Sequence, residues 1–249
     1  MKLFRCSSLH NLVGDAKSIA PEFRTEAIDK IIAKKKRTDD EQAIVDHIKN
    51  KSLSDVAKSK IREALKEDLY GFKSFTGNKY TAKGNAFEDM AIEMSGKMRF
   101  RQYQKHVGRV SNEFITGECD ILDQQHRLII DTKCTWDIGT HPFFADEALE
   151  KVKKAGYDWQ MQGYMWLYDC DMAHVDFWLF PCPVKLTSGF DNCEQLIDLV
   201  ESIDIRERLT TVVIERDESM IQKIKDKIPH CQVYYEKQMA EKVKGSKAA

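Results

Sequence analysis

The sequence predicts an α/β (α+β) fold: a central mixed β-sheet flanked by helices, behind a helical N-terminal extension. Three observations predict it. Helical spacing dominates the first 80 residues, short apolar runs bounded by turn residues follow between residues 100 and 136, and helices and strands alternate thereafter. The 249 residues suit one core with an extension. We read residues 1–80 as the extension and 81–249 as the core with its C-terminal strand and helices. Hydrophobic residues at 42% and aromatics at 10% can fill a sizeable core, which argues against a collagen-like, disordered or disulfide-dominated chain. The 39 Lys and Arg nearly balance 40 Asp and Glu, so the overall charge of -1 lacks the signature of a strongly basic nucleic-acid binder. A local basic groove stays compatible with that total. No apolar run approaches the roughly 18 residues of a membrane span, and Met1 to Asp15 holds no signal-peptide-like stretch. The seven cysteines contain no CxxC spacing, which speaks against a zinc ribbon or redox pair and for reduced thiols in a cytoplasmic protein.

The elements follow in order. Ala27, Ile28, Ile31 and Ile32 keep helical spacing up to the basic run Lys34 to Arg37. Thr38 is an N-cap ahead of Asp39, Asp40 and Glu41, whose charges suit a helix start, and Ile44, Val45 and Ile48 form the stripe. Another helix starts between Ser52 and Asp55 and carries Val56, Ile61, Leu65 and Leu69, before Gly71 to Asn78 breaks the pattern. Lys83 to Met94 reads as a helix and Phe100 to Val107 as a strand. Phe114 to Leu122 and Arg127 to Trp136 read as a hairpin joined by Asp123 to His126. A long helix over Ala145 to Tyr168 comes next, then a strand over Val175 to Phe180. An acidic helix over 191–208, a strand over Thr211 to Glu215 and a helix over Glu218 to Ile228 complete the chain.

Chemistry concentrates on that hairpin. Strand side chains alternate between faces, so Asp131 and Lys133 share one face. Pairing Leu122 with Arg127 would set Asp120 diagonally beside Asp131, with Glu118 opposite Asp131. Carboxylates this close repel and raise each other's pKa, and a divalent cation relieves the repulsion. Oxygen ligands of this type suit Mg²⁺ or Mn²⁺. A metal beside a lysine is a hydrolytic arrangement, in which the metal activates water and the lysine positions it or offsets developing charge. Spacing alone equally allows a plain solvated Asp/Lys face.

Asp120, ten intervening residues and Asp131-Thr132-Lys133, preceded by Leu128-Ile129-Ile130, resemble the PD-(D/E)XK nuclease motif. Gly117-Glu118-Cys119-Asp120 resembles the GxxD form of RecB-type and phage lambda-exonuclease-like members. Lys83 to Glu88 resembles their Gly-then-Glu helix, and Gln160-Met161-Gln162-Gly163-Tyr164 their QxxxY motif. The resemblance covers roughly residues 81 to 183, with the motifs in the family's order. It implies a restriction-endonuclease-like core and a metal-dependent deoxyribonuclease, more an exonuclease than an endonuclease, of phage or recombination type. It implies that Asp120, Asp131, the Thr132 carbonyl and Glu88 hold Mg²⁺ (or Mn²⁺), that Lys133 is the catalytic lysine, and that Gln160 and Tyr164 bracket the active centre. DNA as partner, a homo-oligomer, and a single-strand annealing or recombination partner are implied likewise, in the cytoplasm of the cell or of a phage's host. Cys119 stands where the family's eponymous Pro would be. Some relatives bind an iron–sulfur cluster; Cys170, Cys182 and Cys193 are too evenly and widely spaced for one, so none is expected. A non-catalytic DNA-binding or assembly protein that retained the fold is the alternative reading.

Lys97, Arg99, Arg101, Lys105 and Arg109 put +5 on a stretch without acids, interleaved with Phe100 and Tyr103. Arg99, Arg101, Lys105 and Arg109 are therefore the candidate DNA contacts, through phosphates rather than base edges. Residues 186 to 208 carry -4. The neutral total thus hides opposed patches, and DNA contact is expected on one face only.

Overall fold

The computed structural model describes residues 1–247. In chain order its elements are β1 (Phe4–Arg5), α1 (Leu9–Leu12), α2 (Glu26–Ile32), α3 (Asp39–Lys51), α4 (Asp55–Tyr70), α5 (Lys79–Lys97), β2 (Val110–Ser111), β3 (Ile115–Gly117), β4 (Ile121–Asp123) and β5 (Leu128–Thr135). Then come α6 (Ala145–Ala155), α7 (Tyr157–Tyr168), β6 (Met172–Leu179), α8 (Leu199–Ser202), β7 (Leu209–Glu215) and α9 (Glu218–Lys247). The α/β class read from the sequence holds, with two sheets in place of one: β1-β3-β2 and β4-β5-β6-β7. No helix among the described residues is long and apolar enough to cross a membrane.

The residues gather into two units: Met1–Ser74 with Ser111–Thr116 and the chain from Glu218 onward, and Phe75–Val110 with Gly117–Asp217. In the first, α9 packs on α4, α3 and α1. Ile221, Ile224 and Ile228 of α9 are fully buried, as are Leu9, Leu12, Ala57 and Ile61. Lys227 donates to the carbonyls of Asn50 and Ser52 at 2.7 Å each, closing the open end of α3. The grouping departs from the expected split at residue 80, because the apolar stripe of α9 is buried against the N-terminal helices. The N-cap expected at Thr38 is present, within a full capping box with Glu41, and Ser54 caps the helix that follows.

In the second unit β5 is central, antiparallel to β4 and parallel to β6, with β7 antiparallel to β6. Helix α5 packs on β5, where Ile92 meets Ile121, Leu128 and Ile130. The expected helix over 145–168 is two helices, because Gly156 takes a left-handed φ of 73° and ends α6. The run 114–122 is divided between β3 and β4, which lie in different sheets. The expected acidic helix over 191–208 contains only α8 and short tighter or wider turns on either side.

The strand expected over 100–107 is irregular backbone. The chain doubles back after α5: Arg101 N–H donates to the Gly96 carbonyl at 2.9 Å, and Phe100 is left-handed at φ 56°. The turn passes so close to the helix that a Cβ on Gly96 would meet the Arg101 carbonyl oxygen at 2.6 Å. Gly96→Ala is expected to destabilise the protein by about 1–3 kcal/mol, read as a lower urea midpoint. An unchanged midpoint would mean that the turn shifts freely.

Candidate active site

The hairpin sets the site. Ile121 pairs with Ile130, Leu122 with Ile129 and Asp123 with Leu128. The four-residue turn is therefore Gln124 to Arg127, one position later than expected. Asp123 Oδ1 accepts from His126 N–H at 3.2 Å and Arg127 is left-handed at φ 49°, which closes the turn there. The pairing slips by two and each side chain keeps its face. Continuing the ladder puts Asp120, not Glu118, opposite Asp131. Glu118 instead accepts from Gly108 N–H at 3.2 Å and pairs with Arg109 at 3.5 Å.

Asp120 Oδ2 accepts from the backbone N–H of Thr132 at 2.7 Å and from its hydroxyl at 2.9 Å. Asp131 is 2% exposed and its Oδ2 forms an ion pair with Lys133 Nζ. Burial pushes the Asp131 carboxyl above the usual carboxylate range; Lys133 counters this and Asp120 adds to it. Burial works against the Lys133 ammonium, but Asp131 and Asp120 outweigh it and hold its pKa above the ordinary lysine value. Lys133 Nζ lies 4.9 Å from the centre of the Tyr157 ring, which fixes it from the far side.

A cavity of about 550 Å³ lies beside them, lined by Asp120, Thr132 and Lys133 from the hairpin, Glu88 from α5, and Lys151 and Tyr157 from α6 and α7; Asp131 stands behind this lining, reached through Lys133. Glu88 Oε2 is 2.5 Å from Lys105 Nζ, a contact that raises the Lys105 pKa. Tyr80 stands edge-on to Trp136 at 5.2 Å, and both line the cavity. Lys83, fully buried at the first turns of α5, donates to the Trp136 carbonyl at 2.7 Å and ties α5 to the end of β5. Among the described residues no three His, Cys, Asp or Glu side chains are gathered so as to hold a metal ion. Each expected carboxylate is instead engaged by a donor of the chain itself.

Several expected residues lie elsewhere. Gln160 donates to the Tyr164 hydroxyl at 3.0 Å, and both are buried in α7, outside the cavity lining. The i, i+4 spacing brings them together on one face of α7. The four candidate DNA contacts are all engaged by carboxylates. Arg99 points into the fold and binds Asp176 through two contacts of 2.8 Å. Arg101 pairs with Asp123 at 2.7 Å, Lys105 with Glu88, and Arg109 with Glu118. Lys97 pairs with Glu93 at 2.5 Å. The +5 counted along the sequence is thus neutralised by carboxylates, most of them distant in sequence. His141 lies in the loop between β5 and α6 and is buried there. It is 3% exposed, 3.1 Å from the Thr135 hydroxyl, and burial lowers its pKa to about 4.

Sequence reasoning missed Tyr157 and Tyr80, and took Lys151 only as one of three basic residues near the helix start, with Lys153 and Lys154. Only Lys151 left a signal: it lies three residues after Ala148 and one before Val152, the buried positions of α6, so helical spacing puts it on the flank of the inward face.

No family model and no curated protein matches the chain. Among solved structures, that of a phage-related exonuclease from Haemophilus somnus 129PT is 49% identical over 96% of both chains, with a TM-score of 0.82. An alkaline exonuclease from Laribacter hongkongensis is 16% identical over 79% of this chain and 88% of its own, with a TM-score of 0.52. The same enzyme in complex with dAMP gives 17% and 0.53 over the same shares. The last two show the fold alone. Identity of 49% across nearly the whole length, on a chain whose Asp, Asp and Lys meet on one hairpin, settles the kinship: the chain belongs to the phage-related exonucleases of the PD-(D/E)XK nuclease superfamily.

Proposed function

We propose that the protein is a Mg²⁺-dependent deoxyribonuclease that hydrolyses phosphodiester bonds of DNA from an end. The observation that carries this reading is a cavity lined by Asp120, Lys133 and Glu88, with buried Asp131 paired to Lys133 beneath its wall. The donor set fits a hard divalent cation. Two carboxylates converge, one is buried and held above its usual pKa partly by the other, and both offer oxygen. Asp120, Asp131 and the Thr132 carbonyl would hold the cation. Glu88 would join directly or through water, on leaving Lys105. Bound there, Mg²⁺ (or Mn²⁺) supplies Lewis-acid stabilisation of phosphate charge.

The chain's own residues do the rest. Lys133, fixed between Asp131 and the Tyr157 ring, would orient the attacking water or offset charge on the phosphate. Thr132 would keep Asp120 oriented through its N–H and hydroxyl. A role in phage DNA recombination, a homo-oligomer, an annealing partner and a cytoplasmic setting belong to this proposal through resemblance to the family alone.

The test is degradation of end-labelled linear and closed circular DNA, with Mg²⁺ or Mn²⁺ and with chelator. We expect linear DNA to be consumed, circular DNA to survive, chelator to stop the reaction and Asp120→Asn to abolish it. Opening of the circle would replace exonuclease with endonuclease action. Binding without cleavage in either metal would favour the non-catalytic DNA-binding protein.

A further inference from the structure

The cavity is lined by two cations, Lys133 and Lys151. Lys133 is neutralised by Asp131. Lys151 is different: among the described residues no carboxylate lies within ion-pair distance of it. The acid whose field it feels is Asp137, whose Oδ1 already accepts from Thr140 N–H at 2.7 Å. One donor of Lys151 goes to the Thr140 carbonyl at 2.5 Å, and its ammonium lies 5.5 Å from the centre of the Phe177 ring. An ammonium has three donors, so two remain for a ligand. Burial lowers the Lys151 pKa, so the charge lacks solvent and an incoming anion would stabilise it.

The side chain is also held in place. It leaves α6 beside Ala148 and Val152, both buried, and its tip is fixed by a carbonyl and a ring. Much of the rotamer freedom that a flexible lysine loses on binding is therefore already lost. A compact, half-buried, unpaired ammonium on the wall of a cavity suits a phosphate as a point charge.

We propose that Lys151 is a phosphate-binding residue of this cavity, donating to a non-bridging oxygen of a DNA phosphate and so positioning the strand against Asp120 and Lys133. This rests on the nuclease reading of the same cavity. Thr140 then acts as a positioning residue through its carbonyl, which aims the ammonium.

The test follows degradation of linear duplex in Mg²⁺ across a salt series, by wild type, Lys151→Ala, Lys151→Arg and Lys154→Ala. Lys154 is exposed on the same helix. Lys151→Ala should raise KM about tenfold or more, with a smaller change in kcat. The slope of log KM against log salt should fall by about one. Lys151→Arg should restore that slope, and Lys154→Ala should match wild type. Duplexes with 5′-phosphate and 5′-hydroxyl ends separate the two sources of phosphate. A loss confined to the phosphorylated end assigns Lys151 to the terminal phosphate, and an equal loss on both assigns it to an internal one. A folded Lys151→Ala variant with wild-type KM and slope, in the presence of wild-type cleavage, would overturn this inference alone. So would a raised KM with unchanged slope that Arg does not restore, because Lys151 would then act through packing. Wild-type protein inactive on all linear DNA would overturn the nuclease reading and this inference with it.

Discussion

Lys133→Ala is expected to slow DNA cleavage about a thousandfold while the protein stays folded and binds DNA within a few-fold of wild type. The argument is positional. The side chain is 26% exposed, so its tip reaches the cavity, yet it is held by Asp131 and stands over Tyr157. A cation fixed in this way needs no rearrangement when charge develops on a phosphate beside it, and fixed charge in a partly dry site acts more strongly than in water. Its removal leaves Asp131 without its counter-charge, which could be mistaken for a folding defect. Burial and Asp120 already push the Asp131 carboxyl up, so the lone group takes a proton instead of staying buried and charged. The stability loss is thereby limited. Single-turnover cleavage of end-labelled duplex, beside a urea melt of the same variant, measures both quantities. Cleavage within tenfold of wild type by the folded variant would remove Lys133 from the chemistry.

What was legible in the sequence was local. Asp131 and Lys133 share a face because strand periodicity is two, and no tertiary contact can alter that. The register was off by two residues, because the Asp123 carboxylate and the left-handed Arg127 choose where the turn closes. The faces were nonetheless right, because a slip of two preserves them. Gly156 was visible in the sequence, but its left-handed φ depends on how α6 and α7 pack, so the break was not foreseen. The basic stretch failed for a stronger reason. A charge count along the chain ignores partners, and here Asp123, Glu118, Glu88 and Asp176 come from other elements. Only Lys97 with Glu93, four apart on α5, could have been paired by spacing. Lys151 was hidden in the opposite way: counted with Lys153 and Lys154, it is the one turned inward, and among the described residues no carboxylate pairs with it.

Arg99→Ala is expected to destabilise the protein by about 3–5 kcal/mol and to leave the salt dependence of DNA binding unchanged. Asp176 lies on β6 with no exposure, and Arg99 is 17% exposed. The guanidinium meets both carboxylate oxygens at 2.8 Å. Ser95 and Thr211 hydroxyls donate to the same carboxylate at 2.6 and 2.7 Å. Trp178 donates its indole N–H to Ser95 Oγ at 2.9 Å, so α5, β6 and β7 are joined through one carboxylate. His174 Nδ1 lies 3.2 Å from the guanidinium, and burial first and the Arg99 charge second hold its pKa below the ordinary value. It therefore accepts from the arginine as a neutral ring. Truncating Arg99 strands a carboxylate among two hydroxyls in a dry interior, and this stranding, more than the worth of the pair, sets the size of the loss. Replacing both partners by apolar residues, Arg99→Met with Asp176→Leu, should recover part of it. Urea unfolding of the two variants beside wild type supplies the free energies. A loss below about 1 kcal/mol for Arg99→Ala, together with a shallower salt dependence, would instead return Arg99 to the DNA-binding surface.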